Sequence, residues 1–247
     1  MRGLKWQYSL GVFLILASIL IYTIHYAIFR DPRYLFRILG AQLAFLPISV
    51  LLVTVILNQL LAKIKKRDTL GKLNMIIGAF FSEVGTELIC RFSGFDPLFD
   101  KIRNQLAVSS HWSKNDFAEA KKRIEAFDVQ IDSKASDLKD LRILLVRKRG
   151  FFLRLLENPN LLEHGSFTDL LWAVFHLTEE LEHRKDLSGI GDADHAHLSV
   201  DIKRAYMLLI LEWTDYMNHL KDNYPYLFSL AVRMNPFDPN ASPEITA

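Results

Sequence analysis

Charged side chains are missing from two long stretches near the start of the chain. Asp, Glu, Lys and Arg are absent from Tyr8 to Phe29 and again from Ile38 to Ala62. Roughly 20 helical residues cross a hydrocarbon core of about 30 Å, so each stretch is long enough for a spanning helix. Cysteine is nearly absent as well. Cys90 stands alone, which excludes an internal disulfide and a thiolate metal cluster and is compatible with a reducing compartment. No phosphate-binding glycine loop, Gly-x-Ser-x-Gly elbow or His-Glu-x-x-His helix occurs, so the common signatures of nucleotide binding, serine hydrolysis and zinc proteolysis are lacking. Repeats and low-complexity tracts are lacking too. Alternating strand patterns are confined to a weak one at Asp128 to Asp132.

What is present points to a membrane. A cleaved signal peptide has an apolar region of about 7 to 15 residues followed by a small-residue cleavage site. The first run here is longer and ends in His25, Tyr26 and Phe29, so it reads as a retained anchor. Arg30-Asp31-Pro32-Arg33-Tyr34 between the runs reads as a tight turn. Arg2 and Lys5 precede the pair and Lys63, Lys65, Lys66, Arg67 and Lys72 follow it, against Arg30, Arg33 and Arg37 between the spans. The excess outside the turn predicts that both termini are cytoplasmic. The lysine cluster after the second run serves that topology, with anionic lipid as a sharper alternative. Overall, 30 basic residues nearly balance 28 acidic ones. The basic excess is local to the first seventy residues, which suggests a lipid bilayer as partner rather than nucleic acid.

Beyond Arg67 the pattern turns to amphipathic helices. Thr69 is placed to cap a helix carrying Leu73, Ile77, Phe80, Phe81, Val84 and Leu88 and ending near Ser93-Gly94. Asp96-Pro97 starts a short helix to about Ala107, and Ser113 with Asp116 starts another to about Phe127. Ser136 to Glu157 reads as helical with a bend near Gly150. Ser166 with Asp169 caps a helix whose core stripe is Leu170, Leu171, Val174, Leu177 and Leu181. A Gly- and Asp-rich loop from Asp186 to His197 leads to a long helix from Ser199 to about Asp222. After it, Tyr224 to Phe237 reads as a short docked helix, or in a sharper reading as a segment that binds a partner or the membrane interface.

The ending YPYLFSLAVRMNPFDPNASP, the two-span start and the segment LNMIIGAFFSEVGTEL together resemble a group of uncharacterised bacterial two-span membrane proteins. The resemblance implies a bacterial inner-membrane setting and no particular chemistry.

Five of the eight histidines fall between His176 and His219. His176, Glu180 and His183 share one helix face, and His195 and His197 add ligands from the following loop, so a zinc or iron site is conceivable. That face lies opposite the apolar stripe, where solvated side chains are the ordinary outcome, and a second Glu-x-x-His of the di-iron type is missing. Glu212, Asp215 and His219 read as a solvated rim. Glu83 and Glu87 could form a carboxylate pair, but Arg91 four residues after Glu87 favours a surface ion pair. Cys90 reads as packed rather than nucleophilic, and no catalytic residue is assigned.

The expected architecture is all-α. A two-helix transmembrane hairpin occupies residues 1–67, with spans at about 8–29 and 38–62. A cytoplasmic multi-helix domain follows at 68–235, then a flexible proline-bearing tail at 236–247. The expected role is a membrane-anchored scaffold or interaction protein that needs no cofactor and binds a protein partner or its own copies. The alternative is a membrane-bound metal-dependent enzyme or sensor using His176, Glu180, His183, His195 and His197.

Overall fold

A computed structural model describes residues 2–159, 161 and 164–244. It is helical throughout, with no strand among the described residues. In order come α1 (Arg2–Phe29), α2 (Pro32–Phe80), a π-helical turn (Phe81–Gly85), α3 (Thr86–Ser93), α4 (Phe99–Arg103), α5 (Lys114–Ala126), α6 (Leu138–Leu156), α7 (Gly165–His183), α8 (Asp192–Asn223) and α9 (Pro225–Arg233). The chain divides into two compact units, Met1–Lys65 and Lys66–Ala247.

In the first unit, α1 and the first part of α2 are joined by two residues. Arg30 takes a left-handed φ of 49°, and the Asp31 carboxylate accepts the Tyr34 N–H at 3.1 Å. Proline at the first helical position gives up an N–H that would be unbonded there anyway. Tyr22 donates to Gln42 across the pair at 2.6 Å. Tyr8–Phe29 and Pro32–Lys65 are both long and apolar enough to cross a membrane, and no residue in either apolar window is buried. Pro47 lies inside α2 without ending it.

A third stretch, Leu73–Ser93, also meets the length and composition of a span, but 44% of its window is buried. Leu73, Ile77, Phe80, Val84, Leu88 and Phe92 face the core of the second unit. Its apolarity is accounted for by packing. The central element is α8, which packs on α3, α5, α7 and α9, while α6 packs on α7. Its stripe of Ile202, Tyr206, Leu209, Trp213 and Leu220 is buried, as is the stripe of Leu170, Leu171, Val174, Leu177 and Leu181 on α7.

Several helix ends differ from expectation. The backbone of Thr69 lies in the interior of α2, so no helix starts there, and its side chain falls outside the described residues. Asp96 does accept an N–H, from Leu98 at 2.8 Å, but α4 stops at Arg103. The Ser113 and Asp116 capping box is present. Asp137 rather than Ser136 caps α6, which continues through Gly150 without a break. The cap of α7 is His164, which accepts the Phe167 N–H at 3.3 Å. The helix that was expected from Ser199 starts at Asp192. Two aspartates in its first turn favour that start, because their charge complements the exposed N–H groups there.

The tail is not free. Phe237 is buried, its ring centroid 5.0 Å from that of Trp213. Asn235 donates to the Leu106 carbonyl at 3.0 Å and accepts from the Phe237 N–H at 2.9 Å. Arg233 donates to the Pro243 carbonyl. Proline spacing breaks the helix here, but the aromatic side chain between the prolines finds a pocket. Residues 245–247 lie outside the described residues.

Candidate functional site

Because α8 starts early, His195 and His197 are helical rather than loop residues. His197 and Asp201 lie one turn apart on α8, and His176 and Glu180 one turn apart on α7. Packing of α7 on α8 brings the four together. His176 Nε2 is 3.4 Å and His197 Nε2 3.3 Å from Asp201 Oδ2. Glu180 Oε2 is 3.6 Å from His197 Nε2, and Glu180 Oε1 is 3.9 Å from His176 Nε2. Asp201 is 3% exposed, and its Oδ2 receives no hydrogen bond despite the two imidazole nitrogens facing it.

The surroundings of the cluster are charged. Arg184 donates to Glu180 Oε2 at 2.7 Å and forks onto Asp194 at 3.0 and 2.7 Å. That guanidinium, through its hydrogen bond, holds the Glu180 carboxyl below the usual carboxylate range. On the far side, Arg204 lies 3.6 Å from Asp201 Oδ1. The remaining sequence candidates point elsewhere. His183 Nδ1 is 2.8 Å from its own helix carbonyl at Glu179, and His195 Nδ1 is 2.8 Å from Ser133 Oγ. Of the five residues expected as ligands, His176, Glu180 and His197 converge and His183 and His195 do not. Asp201 was missed, although the repeated spacing of His176 with Glu180 and His197 with Asp201 was a legible signal.

The second feature is an apolar groove of about 790 Å³ in the second unit. Met75, Gly78 and Ala79 of α2 line one side and Leu227, Leu230 and Met234 another, with Tyr216 and His219 of α8 between. Met75, Leu227, Leu230 and Met234 are exposed. The amides of Asn74 and Asn223 each lie 3.1 Å from His219 Nδ1. As neutral amide N–H groups only donate, Nδ1 accepts and the ring proton sits on Nε2. Nε2 is buried without a partner. Burial also holds this imidazole below its ordinary value, with Asp222 pulling weakly the other way.

The π-helical turn borders the groove. Thr86 donates its hydroxyl to the Phe81 carbonyl, five residues back, at 3.0 Å, which supplies a partner where the helical ladder widens. Such widened turns often accompany functional sites. Only glycine fits at position 85, since a Cβ there would meet Phe81 at 2.6 Å and Phe80 at 2.8 Å. A lone glycine among bulky apolar residues was the one sequence sign of this close approach.

Elsewhere, ordinary explanations hold for some residues and fail for others. Glu83 pairs with Lys148 of α6 at 2.6 Å. Glu87 pairs with Arg91 at 3.5 Å, and Arg91 also contacts Asp140. Cys90 is exposed rather than packed, yet desolvation raises its thiol above the ordinary value, which disfavours the reactive thiolate. Glu212 is no rim residue. It is 2% exposed, and burial raises its carboxyl although a Ser166 hydrogen bond opposes this.

Comparison with known proteins places these features in a family. Residues 2–61 match the N-terminal helical domain of MJ1433, and residues 69–233 match the C-terminal helical domain of the uncharacterised protein MJ1433. The uncharacterised protein MJ1433 of Methanocaldococcus jannaschii is 46% identical over 238 residues, which is 96% of each chain. No solved structure matches. This relative is archaeal, so the bacterial inner membrane implied by the resemblance finds no support. Nor do the comparisons support a metal-dependent enzyme. By both domain matches and the full-length relative, the chain belongs to the MJ1433 family.

Proposed function

We propose that this protein is a membrane-tethered helical module: α1 and α2 up to Lys65 cross a cell membrane as a hairpin, both termini are cytoplasmic, and the second unit holds a protein partner, or another copy, at the bilayer. The observation that carries the reading is that two adjacent helices each present an apolar window in which no residue is buried. A helix that is apolar all round is stable only inside a large core or in lipid. Support for the orientation comes from the Lys and Arg that flank the pair. The exposed lining of the apolar groove supports the holding role, because contiguous exposed apolar surface commonly marks interaction sites.

Full-length protein should remain in the membrane pellet through alkaline carbonate washing, and a reporter fused after Lys66 should be active only in the cytoplasm. Release by carbonate defeats the tether, and a reporter active only outside reverses the topology. Full-length protein that is monomeric in detergent and retains nothing from solubilised membranes counts against the holding role.

A further inference from the structure

We propose that His176, Glu180, His197 and Asp201 form a binding site for a single divalent transition-metal ion of the zinc type, which clamps α7 to the first turns of α8. The proposal concerns binding, not catalysis, and it stands independently of the membrane reading.

The donor spacing is the first argument. In tetrahedral zinc sites nitrogen and carboxylate oxygen ligands lie about 2.0–2.2 Å from the ion, which places neighbouring donors about 3.3–3.6 Å apart. Asp201 Oδ2 is 3.4 and 3.3 Å from the two imidazole Nε2 atoms, and the Glu180 oxygens are 3.6 and 3.9 Å from them. The two edges from Asp201 already have the required length, and Glu180, whose Oε2 is held by Arg184, joins by a rotation that brings Oε1 towards the imidazoles.

The second argument is the state of Asp201. Its carboxylate is 3% exposed, and Oδ2 receives no hydrogen bond although two nitrogens stand at hydrogen-bonding distance. A cation between these groups would satisfy that oxygen, because a buried unsatisfied carboxylate oxygen is costly. With neutral imidazoles, two carboxylates and a divalent ion, the ligand sphere is electrically neutral.

Outer contacts orient the ligands. Arg184 holds Glu180 Oε2 at 2.7 Å, leaving Oε1 as the ligating atom, and Arg204 faces Asp201 Oδ1 at 3.6 Å. Such partners fix ligand orientation and raise affinity. Two imidazoles favour zinc, cobalt or nickel over magnesium or calcium, which prefer all-oxygen shells. The His176 and His197 side chains are about half exposed, so the ion enters directly from solvent.

The test uses full-length protein in detergent, stripped with a chelator and titrated with zinc chloride and with cobalt chloride. The expected result is one ion per chain, the visible absorption of tetrahedral cobalt, and a higher thermal midpoint with zinc. Asp201→Asn and His197→Gln should each weaken binding by about tenfold or more, while His183→Gln leaves it unchanged. His176→Gln, at an exposed position, serves as a second ligand variant should Asp201→Asn fail to fold. Absence of saturable one-to-one binding overturns the proposal and leaves a surface cluster of imidazoles and carboxylates. Affinity unchanged in His176→Gln and His197→Gln overturns it equally.

Discussion

The Phe81 and Tyr216 rings stack almost face to face, centroids 5.0 Å apart and planes 14° from parallel, where the π-helical turn meets α8. Phe80, one residue earlier, turns its ring into the core instead, edge-on to Phe167 at 5.4 Å. Gly85 lies under both phenylalanines, and that close approach yields the first prediction.

Gly85→Ala should lower stability by about 1–3 kcal/mol, because its Cβ must displace two buried rings. Gly78→Ala provides the contrast. Its Cβ would meet the Tyr216 ring at 3.7 Å, an ordinary contact, so the gain in helix propensity makes it neutral or stabilising by up to about 1 kcal/mol. Thermal unfolding of the two variants beside wild type decides the matter, and equal effects would remove the close-packing argument.

Phe237→Ala should cost about 3–5 kcal/mol, the usual range for emptying a buried aromatic site. Its ring packs on Trp213 and Phe99, so the near-ultraviolet circular dichroism of tryptophan should weaken as well. A free tail would give no change in either measurement.

His219 makes stability depend on pH. Its folded value is depressed by burial, whereas the unfolded chain titrates near the ordinary value of about 6.5. Below that pH, down to the folded value, the unfolded state binds more protons, so stability falls as pH drops and then levels. Comparing thermal midpoints of wild type and His219→Gln across this window, with chelator present, should show a steeper acid loss in wild type. Parallel profiles would refute it.

Glu212 works in the opposite sense. Burial raises its folded value, so its contribution is fully present below the unfolded value of about 4.5 and is lost as pH rises through the folded one. Glu212→Gln keeps the shape and an acceptor for Ser166 but has no charge to bury. It should therefore raise the thermal midpoint at neutral pH and leave it nearly unchanged in acid. A lowered neutral-pH midpoint would mean that the carboxylate is favourably paired.

Legibility in the sequence followed the range of the interaction. Local signals were read correctly where the partner is a few residues away, as with the Ser113 and Asp116 box and the terminus at Ser93-Gly94. Where one local signal competed with another, the outcome was not legible from spacing alone. His164 displaced Ser166 as the cap of α7, and α8 extended three residues past His195 to start at Asp192. The proposed ligand set was half legible. His176 and Glu180 share a face by spacing alone, but which of the remaining histidines joins them depends on how α7 and α8 are apposed.

By itself, the sequence determined the all-helical class, the two uncharged apolar helices and the core stripes of α7 and α8, because periodicity and hydropathy act through neighbours along one helix. Only the tertiary structure decided that Leu73–Ser93 is core rather than a third bilayer-length segment, that Phe237 is docked, and that Asp201 faces two imidazoles. Each of these depends on what a distant segment places against the residue, and burial of a side chain is a property of the pair rather than of either partner's sequence.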